Sequence, residues 1–149
     1  VAMRAAVGDM ELWGEYKSNF SREDWPAARE EIFSVIKKTD YRASSWYAKE
    51  DRYDLVMDIV ESCEDTDLIK AYEKKLKKLY PDRCLFVLSA KADRVAHDGN
   101  KRSEYRKLAG LLRWIQRYPG GDEVAEERAE KYRQAYPRRK AMLEELMKF

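Results

Sequence analysis

The chain has 149 residues, 44% of them hydrophobic and 39% charged, with a net charge of +2 and two cysteines. That length suits one domain with a core of its own, so neither disulfides nor a metal is needed for folding. Charge is well above the usual ~25%, but ten Tyr and four Trp argue against disorder, which is poor in aromatics. No apolar run approaches the ~18 residues of a membrane span.

The charge is unevenly spread. Residues 101–149 hold 13 Lys/Arg against 8 Asp/Glu, a net +5, and the first hundred residues carry −3. This mild asymmetry permits an acidic or nucleic-acid partner for the last third without making a basic domain. Cys63 and Cys84 do not form a secreted disulfide framework, and reduced thiols fit a cytoplasmic protein. The opening VAMRAAVGDM lacks a signal-peptide layout and starts inside a helical pattern, so a fragment of a longer protein, itself a single all-helical domain over 1–149, is expected.

Helical periodicity then runs along the chain between sparse Gly and Pro. In SREDWPAAREEIFSVIKK, Ser21 or Asp24 can cap and Pro26 suits the first turn, with Trp25, Ala28, Ile32, Val35 and Ile36 on one face. Residues 41–50 read as a short helix. YDLVMDIVESC comes next, with Leu55, Val56, Ile59, Val60 and Cys63 at helical spacing. One helix is expected over EDTDLIKAYEKKLKKLY, capped by Thr66 or Asp67, with Leu68, Ile69, Tyr72, Leu76 and Leu79 inward. Pro81 opens a helix carrying Leu85, Leu88, Ala92 and Val95, which Gly99 ends as a C-cap. The next places Tyr105, Leu108, Leu112 and Ile115 inward, PGGD breaks it, and DEVAEERAEKYRQAY and PRRKAMLEELMKF complete the chain.

The expectation is therefore an all-α fold of about eight helices packed as antiparallel hairpins, stacked either as a solenoid or as a compact bundle. A repeated Tyr-Pro-x-Arg marks the joints: Tyr80-Pro81-Asp82-Arg83 and Tyr136-Pro137-Arg138-Arg139, 56 residues apart. The residue before Pro is pushed out of the helical region, so the chain turns there. The interval fits two hairpins of roughly 28 residues each.

Chemistry-bearing constellations are sparse. His97, Cys63 and Cys84 are too few and too scattered for a zinc site, and no metal or cofactor is expected. His97 beside Asp98 at a helix end reads as a dipole-stabilising residue, PGG lacks the Lys-Ser/Thr of a phosphate loop, and acidic pairs read as solvated helix faces. An enzyme is not expected. The feature that stands out is Arg102, Arg106, Arg113 and Arg117, spaced 4, 7 and 4 and hence within about 60° on one helix, with Trp114 to one side. Arginine's fork suits carboxylates and phosphates. The plainer reading sets this stripe against the acidic residues Asp122, Glu123, Glu126, Glu127 and Glu130 of the next helix.

The runs WYAKEDRYDLVMDIV at 46–60, YEKKLKKLYP at 72–81, YRKLAGLLRWI at 105–115 and YPRRKAMLEEL at 136–146 are similar to the helical C-terminal region of prokaryotic SWIM zinc-finger proteins. SREDWPAAREEI fits the same pattern, so nearly the whole chain is covered. The resemblance implies a tetratricopeptide-like helical stack downstream of the finger, in a protein with DNA- or protein-interaction roles. The finger's Cys-x-Cys…Cys-x-His pattern is absent here, and no ligand carries over. The sequence thus points to a non-catalytic scaffold binding a protein or peptide through Arg102, Arg106, Arg113, Trp114 and Arg117. The alternatives are an accessory nucleic-acid module on the same face and a regulatory or oligomerisation segment; no membrane partner is expected.

Overall fold

The computed structural model describes residues 6–149, so the helical pattern expected at the first five positions lies outside the described residues. Among the described residues there are ten α-helices, one 3-10 turn and no strand. The chain divides into two compact units, Val1–Asp65 and Thr66–Phe149.

The first unit holds α1 (Met10–Lys17), α2 (Trp25–Val35), a 3-10 turn (Tyr41–Ala43), α3 (Ser44–Lys49) and α4 (Tyr53–Cys63). Asp9 caps α1 by accepting the Leu12 N–H at 3.0 Å. Before α2, Ser21 Oγ accepts the Asp24 N–H at 3.1 Å, while the Asp24 side chain makes no cap bond and Pro26 occupies the first turn. Asp51 and Glu64, with φ of 58° and 48°, turn the chain out of α3 and α4 in the left-handed region.

Aromatic packing builds this unit. Trp13 stacks on Trp46 (centroids 4.6 Å apart) and on Phe33 (5.5 Å), and Trp25 meets its edge at 5.1 Å. Phe33 also meets Tyr47 edge-on at 4.7 Å. These rings turn the inward face of α2 toward Phe33. Val35, expected inside, is 54% exposed at the helix end. Cys63 is likewise exposed, although its helical spacing points inward.

The second unit holds α5 (Thr66–Ala71), α6 (Glu73–Leu79), α7 (Pro81–Asp98), α8 (Arg102–Gln116), α9 (Gly121–Ala135) and α10 (Lys140–Leu146). The single helix expected before Pro81 is two, because Tyr72 leaves the helical region at φ −116°, ψ 23°. Its N–H still bonds the Leu68 carbonyl at 3.1 Å, so the break is a one-residue kink. Ile69 and Leu76 are the buried residues of this stretch, and Leu79 is exposed.

Helix α8 is the hub: it packs against α7, α9 and α10, and α7 packs in turn against α5, α6 and α9. Tyr105, Leu108, Leu112 and Ile115 are all buried, as their spacing predicts. They meet a core that includes Leu85, Leu88, Ala92, Ala125, Ala129, Met142 and Leu146. Such burial is the main favourable term in folding. The PGGD turn needs both glycines: Gly120 has φ 73°, and a Cβ on Gly121 would stand 1.8 Å from the Ile115 carbonyl oxygen. Gly99 is the C-cap of α7, as expected. Its backbone is extended (φ −65°, ψ 136°), and glycine is required there because a Cβ would lie 2.6 Å from the Val95 carbonyl oxygen.

Candidate functional site

Helix α8 presents its cations on one side because its apolar residues claim the other. With four residues separating Arg102 from Arg106 and Arg113 from Arg117, the α-helical period keeps all four on the solvent face. All four are exposed, and Trp114 beside them is half-buried.

The stripe is split in two by its partners. At its N-terminal end, the Arg102 fork spans two carboxylates, donating to Glu145 Oε1 at 3.1 Å and to Glu144 Oε2 at 2.7 Å. Arg106 Nε lies 3.7 Å from the same Glu145 oxygen, and Lys148 Nζ lies 3.2 Å from it. Glu145 is only 3% exposed. Burial by itself would push its carboxyl up, but hydrogen bonds from Lys148 and Arg102, with Arg106 adding its charge, hold it below the ordinary glutamate value. At the C-terminal end, Arg113 and Arg117 make no ion pair among the described residues.

Trp114 is engaged rather than free. Its indole N–H donates to Glu73 Oε2 on α6, and the Tyr118 hydroxyl donates to the same oxygen at 3.1 Å. Burial, followed by the charges around it including Glu73, pushes the Tyr118 phenol well above its ordinary value. Lys77 lies over the Tyr118 ring, 5.0 Å from its centroid. Trp114 thus fixes the end of α8 against α6.

The acids that neutralise the stripe belong to α10, and not to α9 as the plainer reading of the sequence expects. The α9 acids Asp122, Glu123, Glu126, Glu127 and Glu130 are exposed. Helix α9 is instead tied to α7 by Asp93, which accepts from the Tyr132 hydroxyl at 2.6 Å and from Arg128 at 2.7 Å. Glu145 is the residue that sequence reasoning missed. Its signal was present, since it falls on the face defined by Met142 and Leu146, where a carboxylate needs a buried partner.

The first unit contains a second enclosed carboxylate. Glu50, with a side chain 3% exposed, accepts from Trp25 Nε1 at 2.6 Å, Lys17 Nζ at 3.0 Å and Trp13 Nε1 at 3.3 Å, and Arg29 stands 3.6 Å away. Burial opposes the charge, but these donors hold the Glu50 carboxyl below its ordinary value.

Among the described residues, no group of three or more His, Cys, Asp or Glu side chains is placed to hold a metal ion, and no helix is long and apolar enough to cross a membrane. Cys84 is buried, and His97 Nδ1 lies 2.8 Å from Asp98 Oδ1 at the exposed end of α7. No family model, curated protein or solved structure matches the chain.

Proposed function

We propose that the chain is a non-catalytic helical scaffold that docks a protein partner. In this reading it corresponds to the tetratricopeptide-like helices downstream of the finger in cytoplasmic SWIM-type proteins. The observation that carries the proposal is the split stripe: Arg102 and Arg106 are neutralised by α10, and Arg113 and Arg117 stand exposed without a counter-ion among the described residues. Phe86, 75% exposed on α7, adds an aromatic anchor of the kind that carries binding energy at interfaces, where Arg is also enriched.

The test is recovery of bound partners from native extract by the wild-type chain and by an Arg113→Glu/Arg117→Glu variant whose helical circular dichroism is unchanged. A protein partner kept by the wild type after nuclease treatment, and lost by the variant, is the expected result. Identical recovery by both would remove this face from the proposal. A second reading, an accessory nucleic-acid module, is favoured by the same uncompensated arginines, whose forks suit phosphates. It predicts binding of labelled duplex DNA that weakens steeply between low and physiological salt.

A further inference from the structure

We infer that Arg113 and Arg117 receive an acidic helix of the partner, seated as α10 is seated on Arg102 and Arg106. The inference rests on the protein-docking reading and gives that partner its chemistry.

The two arginine pairs are similarly spaced stations along α8, the second ending on its C-cap residue Arg117. Each pair is spaced by four, and the second lies eleven residues beyond the first. Eleven residues make three turns with about 20° of drift and about 16 Å of rise. The stations therefore face the same way, far enough apart for each to take a separate helix, since helix axes pack at about 8–10 Å.

The first station shows what such a pair takes. Its occupant is a helix bearing adjacent glutamates, with Arg102 bridging Glu144 and Glu145 and Arg106 flanking them. The second station has the same donors and no anion among the described residues. Like charges four apart on a helix repel each other, and at the first station the glutamates offset this. Between the stations sits Gly110, where an added Cβ would meet nothing nearer than the Arg113 guanidinium at 3.9 Å. Packing therefore does not demand this glycine, and it leaves bare backbone for a close approach. Trp114, pinned by Glu73, supplies a fixed apolar wall next to Arg113.

The experiment is fluorescence anisotropy with the full chain and three labelled probes at low and physiological salt. The probes are an alanine-based helical peptide carrying adjacent glutamate pairs, the same peptide with Gln for Glu, and duplex DNA. The expected result is saturable, salt-sensitive binding of the Glu peptide alone, weakened about tenfold by Arg113→Gln/Arg117→Gln and unchanged by Arg138→Gln, an exposed arginine outside α8. Glu-peptide binding that survives the double change would overturn the station assignment while leaving protein docking in place. Duplex binding without peptide binding would overturn the inference and the docking reading together. No binding of any probe would overturn the inference alone, since a partner recovered from extract would still stand.

Discussion

Arg139 lies over the ring of Tyr136, its guanidinium carbon 4.1 Å from the ring centroid. Arg83 stands over Tyr80 in the same way at 5.0 Å. Tyr80 and Tyr136 also share a backbone conformation, φ −136°, ψ 55° and φ −129°, ψ 55°. The repeated Tyr-Pro-x-Arg is therefore one local device, in which proline forces the turn and the arginine three residues after the tyrosine stacks back on it. The copies differ in how the proline is used. Pro81 opens α7 directly, whereas Pro137 sits in a turn and α10 begins at Lys140.

The second copy does more than turn the chain. Arg139 donates to the carbonyls of Ala96 (2.5 Å), His97 (3.3 Å) and Gly99 (3.4 Å), satisfying the open end of α7. Arg139→Ala should cost about 1–2 kcal/mol, read as a lower denaturant midpoint. Arg83→Ala removes the matching cation–π contact at the first copy, worth about 0.5–1 kcal/mol. An unchanged midpoint in Arg139→Ala would contradict the capping role.

Glu145 makes stability depend on acid. Its carboxyl is held below its ordinary value in the folded chain, so its contribution is complete above the unfolded glutamate pKa of about 4.3 and is lost as pH falls through the lower folded value. Thermal midpoints measured downward from neutral pH should fall below about pH 4.5. Glu145→Gln should lower the neutral midpoint and flatten this acid limb. An unchanged acid limb in the variant would show that other carboxylates set it.

Glu50 carries the same sign in the other unit, with a spectroscopic readout. Glu50→Ala leaves the indole N–H groups of Trp13 and Trp25 and the Lys17 ammonium without their shared acceptor. Breaking such an enclosed pair costs about 3–5 kcal/mol, and partial exposure of Lys17 (44%) brings the expected loss to about 2–3 kcal/mol. Glu50→Gln keeps an oxygen for the indoles and should cost less. Tryptophan emission should shift at neutral pH in the alanine variant, and equal losses for both variants would mean that the indole hydrogen bonds contribute little.

The all-α fold and most helix limits were legible because helical period, proline and glycine act locally. The inward positions of Tyr105, Leu108, Leu112 and Ile115 come from a 3.6-residue repeat alone. The arginine stripe was legible for the same reason. Its counter-ions were not, because α9 and α10 both offer acidic residues and only the tertiary path of the chain brings Glu144 and Glu145 to Arg102. The Glu50 cluster was less legible still. It gathers residues 13, 17, 25 and 50 from two helices and the cap of a third, and nothing in their spacing links them. Val35 was misplaced because a regular stripe ignores which large ring claims the core; here Phe33 does.

Gly110 gives a prediction with an unambiguous sign. A glycine inside a helix costs roughly 0.5–1 kcal/mol relative to alanine, and at this position a Cβ meets only the tip of Arg113 at 3.9 Å. Gly110→Ala should therefore stabilise the chain by about that amount, raising the thermal midpoint by about 1–4 °C. Gly121→Ala provides the opposing control, since its Cβ would strike the Ile115 carbonyl oxygen at 1.8 Å and must destabilise. If Gly110→Ala stabilises the free chain while weakening the acidic-helix probe, the glycine serves the docking face at the expense of the helix. If it destabilises, α8 carries a constraint near Gly110 that its packing does not reveal.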